Sequence, residues 1–307
     1  MSEGPERKKI RPQWVVRSVL DECLSREPQL VEAVVVTIED KRMLTRCIEE
    51  ISKIHPIPQF GHLKRIRGND VILGSILPND ATYLDGLSVA LVGKFKQIRR
   101  ESVPRDAPML RWQFEMASKY WPCKFHPDKQ LESLYSNKIF SNHQVNFHIA
   151  TMEMCLKLSD KHTNPAIVVD PRDGKIVTVA WSQVHMHPLA HTPMVAIDNV
   201  ARSQDGGAWE CENVTEVLET VQHELGQLPY DGESCGNLTK YGPYLCTGYD
   251  VYVLQEPCVM CAMALVHSRI RRIFFHQQTP QGALMSIVQL QTVRELNHHY
   301  QVFRIDS

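Results

Sequence analysis

The sequence predicts an α/β protein of two domains, a small α+β domain in front and a layered α/β domain behind it. Three observations lead there. At 307 residues the chain is about twice the length of an average domain. The stretch Pro122-Cys123-Lys124-Phe125-His126-Pro127-Asp128 breaks the periodic pattern near the middle. Beyond it, short valine- and isoleucine-rich runs alternate with helical periodicity, as strands and helices stacked in layers do.

Taken in order, residues 1–12 are a flexible basic N-terminus, 13–128 the α+β domain and 129–307 the α/β domain. Trp14, Val15, Val16, Val19 and Leu20 open the patterned part of the chain. Glu32 to Ile38 reads as a buried strand, and Lys41 to Ile54 places Met43, Leu44, Cys47, Ile48, Ile51 and Ile54 close to helical spacing. His55-Pro56-Ile57-Pro58 stops that helix. Leu63 to Gly68 and Val71 to Leu77 suggest a strand pair, Leu87 to Gln97 a further strand or helix, and Trp112 to Trp121 a helix.

In the second half the expected order is a helix over Val145 to Lys157, a strand over Ala166 to Asp170, a turn at Pro171-Arg172-Asp173-Gly174 and a strand over Ile176 to Trp181, a hairpin by its spacing. A helix beginning near His191 comes next. A polar surface insertion follows over about 202–240, with one short helix at Thr215 to Glu224. A strand over Asp250 to Leu254, a helix from Cys258 and a strand over Arg272 to Phe275 complete the pattern.

Composition narrows the class. Hydrophobic content of 43% and charged content of 22% exclude a largely disordered or fibrous chain. No apolar run approaches the roughly 18 residues a bilayer span needs, so no membrane association is expected. Nine cysteines behind a polar, charged beginning suggest an intracellular protein with reduced or metal-bound thiols. The net charge is −1, but residues 1–128 hold 21 basic against 17 acidic side chains, which makes the front half the better phosphate binder.

The chemistry is concentrated in Pro257-Cys258-Val259-Met260-Cys261. Two cysteines three positions apart at a helix start share one face, and the helix N-terminus favours their thiolates. Proline suits the first turn, where its missing N–H has no intrahelical partner. Alone, the spacing also fits a redox pair or half of a zinc ribbon. Joined to His191, at a second helix start in Pro188-Leu189-Ala190-His191-Thr192-Pro193, it reads as a His-Cys-Cys zinc site. A histidine at a helix start can also simply cap the helix. His185, His187, His298 and His299 read as exposed loop histidines, the other seven cysteines as ordinary thiols, and Glu256 as a structural residue.

One histidine followed downstream by Pro-Cys-x-x-Cys resembles the zinc-dependent nucleobase deaminases, whose signature is His-x-Glu and then Pro-Cys-x-x-Cys. Met194 to Ala201, Tyr249 to Pro257 and Cys258 to Ile270 are similar to the tRNA adenosine deaminase branch, in particular to the accessory member of the eukaryotic enzyme acting at the wobble position (34) of the anticodon. The resemblance covers roughly residues 145–305. It implies a cytidine-deaminase-like α/β/α domain with a central mixed sheet, and one Zn²⁺ per chain on His191, Cys258 and Cys261. It also implies a heterodimer with a catalytic subunit, and a role in stabilising that subunit and presenting tRNA for conversion of adenosine to inosine. The family's proton-shuttling glutamate stands two residues after the histidine, where this chain has Pro193. Positioned acid-base catalysis contributes about 10² to 10⁴-fold, so the chain is expected to be inactive alone.

Further expectations follow. Lys64, Arg65 and Arg67, with Lys94, Lys96, Arg99 and Arg100, could track a tRNA backbone. Arg269, Arg271 and Arg272 suit RNA, a partner or solvent equally. Met260, Met263, Ala264 and Val266 suit either a partner or the core. A tail Arg304-Ile305-Asp306-Ser307 that folded back would offer a carboxylate to the fourth metal position. Arg7-Lys8-Lys9-Ile10-Arg11 resembles a short import signal or a solvated tail, and residence in nucleus and cytoplasm is expected. The alternatives are an active nucleoside or nucleotide deaminase with a different acid, and a zinc-stabilised interaction protein outside deamination.

Overall fold

The computed structural model describes residues 14–54, 56–75, 95–210, 212–233 and 245–306. The basic segment 1–12 and most of the element expected over Leu87 to Gln97 lie outside these residues. The described chain forms two compact units: residues 22–133, and residues 134–306 together with the segment 14–21.

In the 22–133 unit, strands β2 (Leu30–Ile38), β3 (Ile66–Arg67), β4 (Asp70–Ser75) and β5 (Phe95–Pro104) form an antiparallel sheet in the order β3-β4-β2-β5. Alternation along β2 divides its valines between two small cores. Ala33 and Val35 meet Phe60, Leu63, Ile72, Val103 and residues Ala117 and Trp121 at the end of helix α2 (Arg111–Tyr120). Val34, Val36 and Ile38 meet Cys47 and Ile51 of helix α1 (Leu44–Ile54). The run that reads as one buried strand is therefore buried on both faces.

The other unit is a three-layer α/β/α domain. Strands β1 (Val15–Ser18), β6 (Ala166–Asp170), β7 (Lys175–Ala180), β8 (Asp250–Gln255), β9 (Arg272–Gln277) and β10 (Gln301–Asp306) form a six-stranded mixed sheet in the order β1-β10-β9-β8-β6-β7. β8, β9 and β10 run parallel, and the other pairings are antiparallel. Period-two alternation again sorts the side chains. Ala166, Val168, Val251 and Val253 pack toward helices α5 (Thr192–Arg202) and α7 (Val259–His267). Ile167, Val169, Tyr252 and Phe274 pack toward α4 (Asn142–Leu158) and α6 (Thr215–Leu225). Helix α3 (Lys129–Tyr135) precedes α4, which starts at Ser141 with a reciprocal Ser141–Gln144 capping box.

Two expectations need correction. The segment from Trp14, assigned by sequence to the front domain, instead forms the sheet's edge strand, with Val15 opposite Asp306 and Ser18 opposite Phe303. A four-residue strand shows its propensity locally, but its partner lies at the far end of the sequence and leaves no local signal. The tail over residues 304–306 is likewise part of β10. The Asp306 carboxylate sits 3.9 Å from Arg17 and from Arg304 and does not belong to the cluster described next. Ser307 lies outside the described residues.

Candidate metal centre

The centre lies where β8 ends, the edge at which open α/β sheets commonly place their sites. Cys258 is the N-cap of α7, and His191 is the N-cap of α5. Both have extended backbones, and neither side chain spends itself on the first-turn N–H groups as a capping side chain would. His191 therefore occupies a cap position without acting as a cap, and its imidazole is available to the cleft.

The Nδ1 of His191 lies 3.7 Å from the Sγ of Cys258. The ligand atoms of His191, Cys258 and Cys261 all fall within 4.8 Å of one another, and among the described residues no other group of three or more such side chains converges this way. Ligands on a tetrahedral zinc with bonds of about 2.0–2.3 Å stand roughly 3.5–3.8 Å apart, so the donor set suits that ion and the 3.7 Å between His191 and Cys258 matches it. Cys261 is buried, and burial followed by the neighbouring Cys258 sulfur pushes its thiol well above the usual range. A dication at this point would reverse that preference, since a coordinating thiol deprotonates. Two helix N-termini converge there as well, and both favour thiolate.

A cavity of about 260 Å³ opens over the three side chains, lined also by Asn164, Ser182, Val184, Pro193, Gln255 and Thr279. Pro193 is a buried first-turn residue of α5, at a position where no helical hydrogen bond is lost. It brings no ionisable group to the cavity.

Glu256, the nearest acid in sequence, also borders the cavity and is 3% exposed. One carboxylate oxygen accepts from the main-chain N–H groups of Leu284 at 2.9 Å, Met285 at 2.6 Å and Ser286 at 3.0 Å. The other accepts from Ser286 Oγ at 2.5 Å. Its capacity is committed to a loop, as the structural reading of this residue expects.

Asn164 was not found by sequence reasoning. Held at φ 48°, it accepts the Gln255 N–H on its side chain and the Thr192 hydroxyl on its carbonyl, so it ties the end of β8 to the start of α5. Asparagine tolerates this left-handed conformation better than most residues, and Asn164-Pro165 just before a strand was the available signal.

The sequence-predicted basic residues divide. Lys64 and Lys96 are exposed, and Arg65 is half-buried. Arg100 is exposed, 3.8 Å from Glu32. Arg99 and Arg67 are committed to carboxylates. Arg99 reaches Asp70 at 2.7 Å and Glu101 at 2.9 Å, while Arg67 pairs with Asp70 and Glu101 and lies 4.3 Å over the Trp121 ring. The Arg99 guanidinium holds the Asp70 carboxyl down at about 2. Lys94 lies outside the described residues.

In the other basic run, Arg272 is buried against Asp250 and Glu233, and Arg271 pairs with Glu233 at 2.5 Å. Arg272 is thus unavailable to RNA or partner, and Arg269 is exposed. Val266 belongs to the core, whereas Met260, Met263 and Ala264 are half-exposed. Larger apolar exposure lies on loops near the cleft, at Val184, Met186, Leu189, Met285 and Ile287, and at Val259 on the first turn of α7.

Comparison with known proteins agrees with this geometry. Residues 143–277 match the family model described as the cytidine and deoxycytidylate deaminase zinc-binding region. The chain is 33% identical over 323 residues to a probable inactive tRNA-specific adenosine deaminase-like protein 3 of Danio rerio, covering 95% of this chain and 91% of the relative. It is 32% identical to the Homo sapiens protein of the same name, covering 95% and 89%. A tRNA-specific adenosine deaminase subunit of Saccharomyces cerevisiae is 24% identical over 302 residues, covering 90% and 84%. No helix among the described residues is long and apolar enough to cross a membrane.

Proposed function

The chain belongs to the family of probable inactive tRNA-specific adenosine deaminase-like proteins, and from that premise we propose that it is the accessory subunit of a tRNA-specific adenosine deaminase. In this reading it pairs with a catalytic subunit as a heterodimer, stabilises it and helps to position tRNA. The partner converts adenosine to inosine at the wobble position. The heterodimer would work in the nucleus and the cytoplasm.

The observation that carries the reading is the cleft itself, with three ligand atoms converging beside Pro193 where the superfamily's shuttle requires a glutamate. His191, Cys258 and Cys261 would hold one Zn²⁺. Bound there, the ion would supply Lewis acidity and a coordination cross-link between the N-termini of α5 and α7. The described residues around it offer no free acid. Pro193 cannot move a proton, and the carboxylate of Glu256 is filled by loop donors. Binding chemistry is retained without turnover. Lys64, Lys96 and Arg100, exposed on the 22–133 unit, are the described side chains that would meet a phosphate backbone.

The test is inosine formation on tRNA by the purified chain, by a deaminase with an intact His-x-Glu motif, and by the two together, with zinc quantified in each. Activity only in the mixture, with about one zinc per accessory chain, is the expected result. Turnover by this chain alone would favour the active-deaminase alternative. A mixture no more active than the partner alone would favour an interaction protein outside deamination.

A further inference from the structure

A buried carboxylate that no catalytic step uses lies two residues before the first cysteine of the centre. We propose that Glu256 is a positioning residue: its carboxylate is the mould around which the loop 279–288 folds, and that loop in turn fixes the Pro257–Cys258 segment carrying a metal ligand. The proposal rests on the zinc reading of the cleft.

The hydrogen bonds are specific to this task. Besides Leu284, Met285 and Ser286, the Thr279 N–H points to the carboxylate at 3.4 Å, and the Thr279 hydroxyl donates to the Glu256 carbonyl at 3.2 Å. Every described partner of the carboxylate oxygens donates to them. A proton shuttle needs an oxygen open to water or substrate. This one has none to spare.

The loop then returns to the metal segment through the main chain. Ala283 N–H donates to the Pro257 carbonyl at 2.9 Å, and Cys258 forms an isolated antiparallel bridge with Gly282. The approach is close enough that any side chain at 282 would have to displace the Glu256 carboxylate. A Cβ there would stand 2.0 Å from the Glu256 carboxyl carbon. The same loop exposes Met285, 40% accessible, and Ile287, 60% accessible. One carboxylate thus couples the placement of Cys258 to the shape of an apolar surface beside the centre.

Substitution separates a hydrogen-bonding mould from an acid. In the full chain, purified with its catalytic partner, Glu256→Ala and the shorter Glu256→Asp are expected to speed amide exchange in peptides spanning 279–288 by about 10-fold or more. Zinc release to a chromogenic chelator should also be about 10-fold faster, within the range seen when outer-shell supports of a metal are lost. Glu256→Gln keeps one carbonyl oxygen for the three N–H groups, and its amide can turn to Ser286 Oγ. It is expected within about threefold of wild type in both readouts. Gly282→Ala should loosen the loop with Glu256 still present.

Exchange in α4 and in β2 serves as the folding control. Glu256→Ala leaving loop exchange unchanged would overturn the mould, and a loosened loop with unchanged zinc release would overturn the coupling. If Glu256→Gln proved as harmful as Glu256→Ala in a folded protein, charge or proton transfer would replace the hydrogen-bonding argument. A wild-type chain that holds no zinc would defeat the metal reading itself, while the exchange result would still decide whether Glu256 shapes the loop.

Discussion

Two arginine clusters, one in each unit, look alike in sequence and differ in kind. In the 22–133 unit, Arg67 and Arg99 share Asp70 and Glu101, with side chains 18–34% exposed. In the α/β/α unit, Arg272 shares Asp250 and Glu233, and the Arg272 and Asp250 side chains are 1% and 0% exposed. In the first cluster water screens the charges, and each arginine could lose its partner cheaply. In the second the ions have lost their hydration, and each depends on the other. Burial, more than the number of bonds, decides which cluster holds the fold together.

Arg272→Ala is the strongest way to test that contrast. It strands the Asp250 carboxylate between strands, and breaking a buried pair in this way costs about 3–5 kcal/mol. Urea unfolding should show a large drop in midpoint, and a loss below about 1 kcal/mol would mean that water reaches Asp250.

A second test uses pH within the same buried face. His148 packs against Phe140 and Phe274, with its Nδ1 2.6 Å from the Tyr252 hydroxyl, and burial followed by the charge of Arg272 holds its pKa well below the ordinary histidine value. It is neutral in the fold. The unfolded chain takes up a proton near pH 6.5 and the native chain does not, so stability should fall as pH drops below about 6.5. His148→Phe should flatten that part of the profile, measured by thermal unfolding between pH 5 and 8.

Arg99→Ala should cost less, about 1 kcal/mol or under, and lose much of its effect in salt. The same cluster gives a separate signature in acid. Asp70 is depressed to about 2, so its contribution is complete above the ordinary carboxylate value of 3.8 and is lost only as pH falls from there toward 2. Smallest in stability should be the triple change of Lys64, Lys96 and Arg100 to alanine. It should leave unfolding within about 0.5 kcal/mol, yet weaken tRNA binding and reduce the slope of log affinity against log salt by roughly 2–3. An unchanged salt slope would remove these residues from the RNA surface.

What the sequence made legible was local. Pro257-Cys258-Val259-Met260-Cys261 announces a helix start with two thiols on one face, and the valine and isoleucine runs of β2, β6 and β8 announce strands. Ligand convergence could be anticipated because both ligand-bearing elements begin with their own local stop signals. What stayed hidden was relational. Arg99 reads as a phosphate binder until Asp70, on another strand, claims it. Most of the Glu256 shell is made of main-chain N–H groups, which every residue but proline possesses and no composition reveals. Strand β10 and the loop before it, from 278 to 300, carry no clear period, and β1 finds its meaning only against β10.

That last pairing bears on how the chain is made. About 280 residues separate Ser18 from Gln301, yet they lie on neighbouring strands of one sheet. At 5–20 residues per second, a ribosome would need roughly 15–60 s to deliver the partner of β1. During that interval the residues 22–133 are fully synthesised and free to fold, while the first strand waits unpaired. The six-stranded sheet can therefore be completed only once β10 has been made, so a chaperone or a waiting subunit has its longest opportunity at that edge.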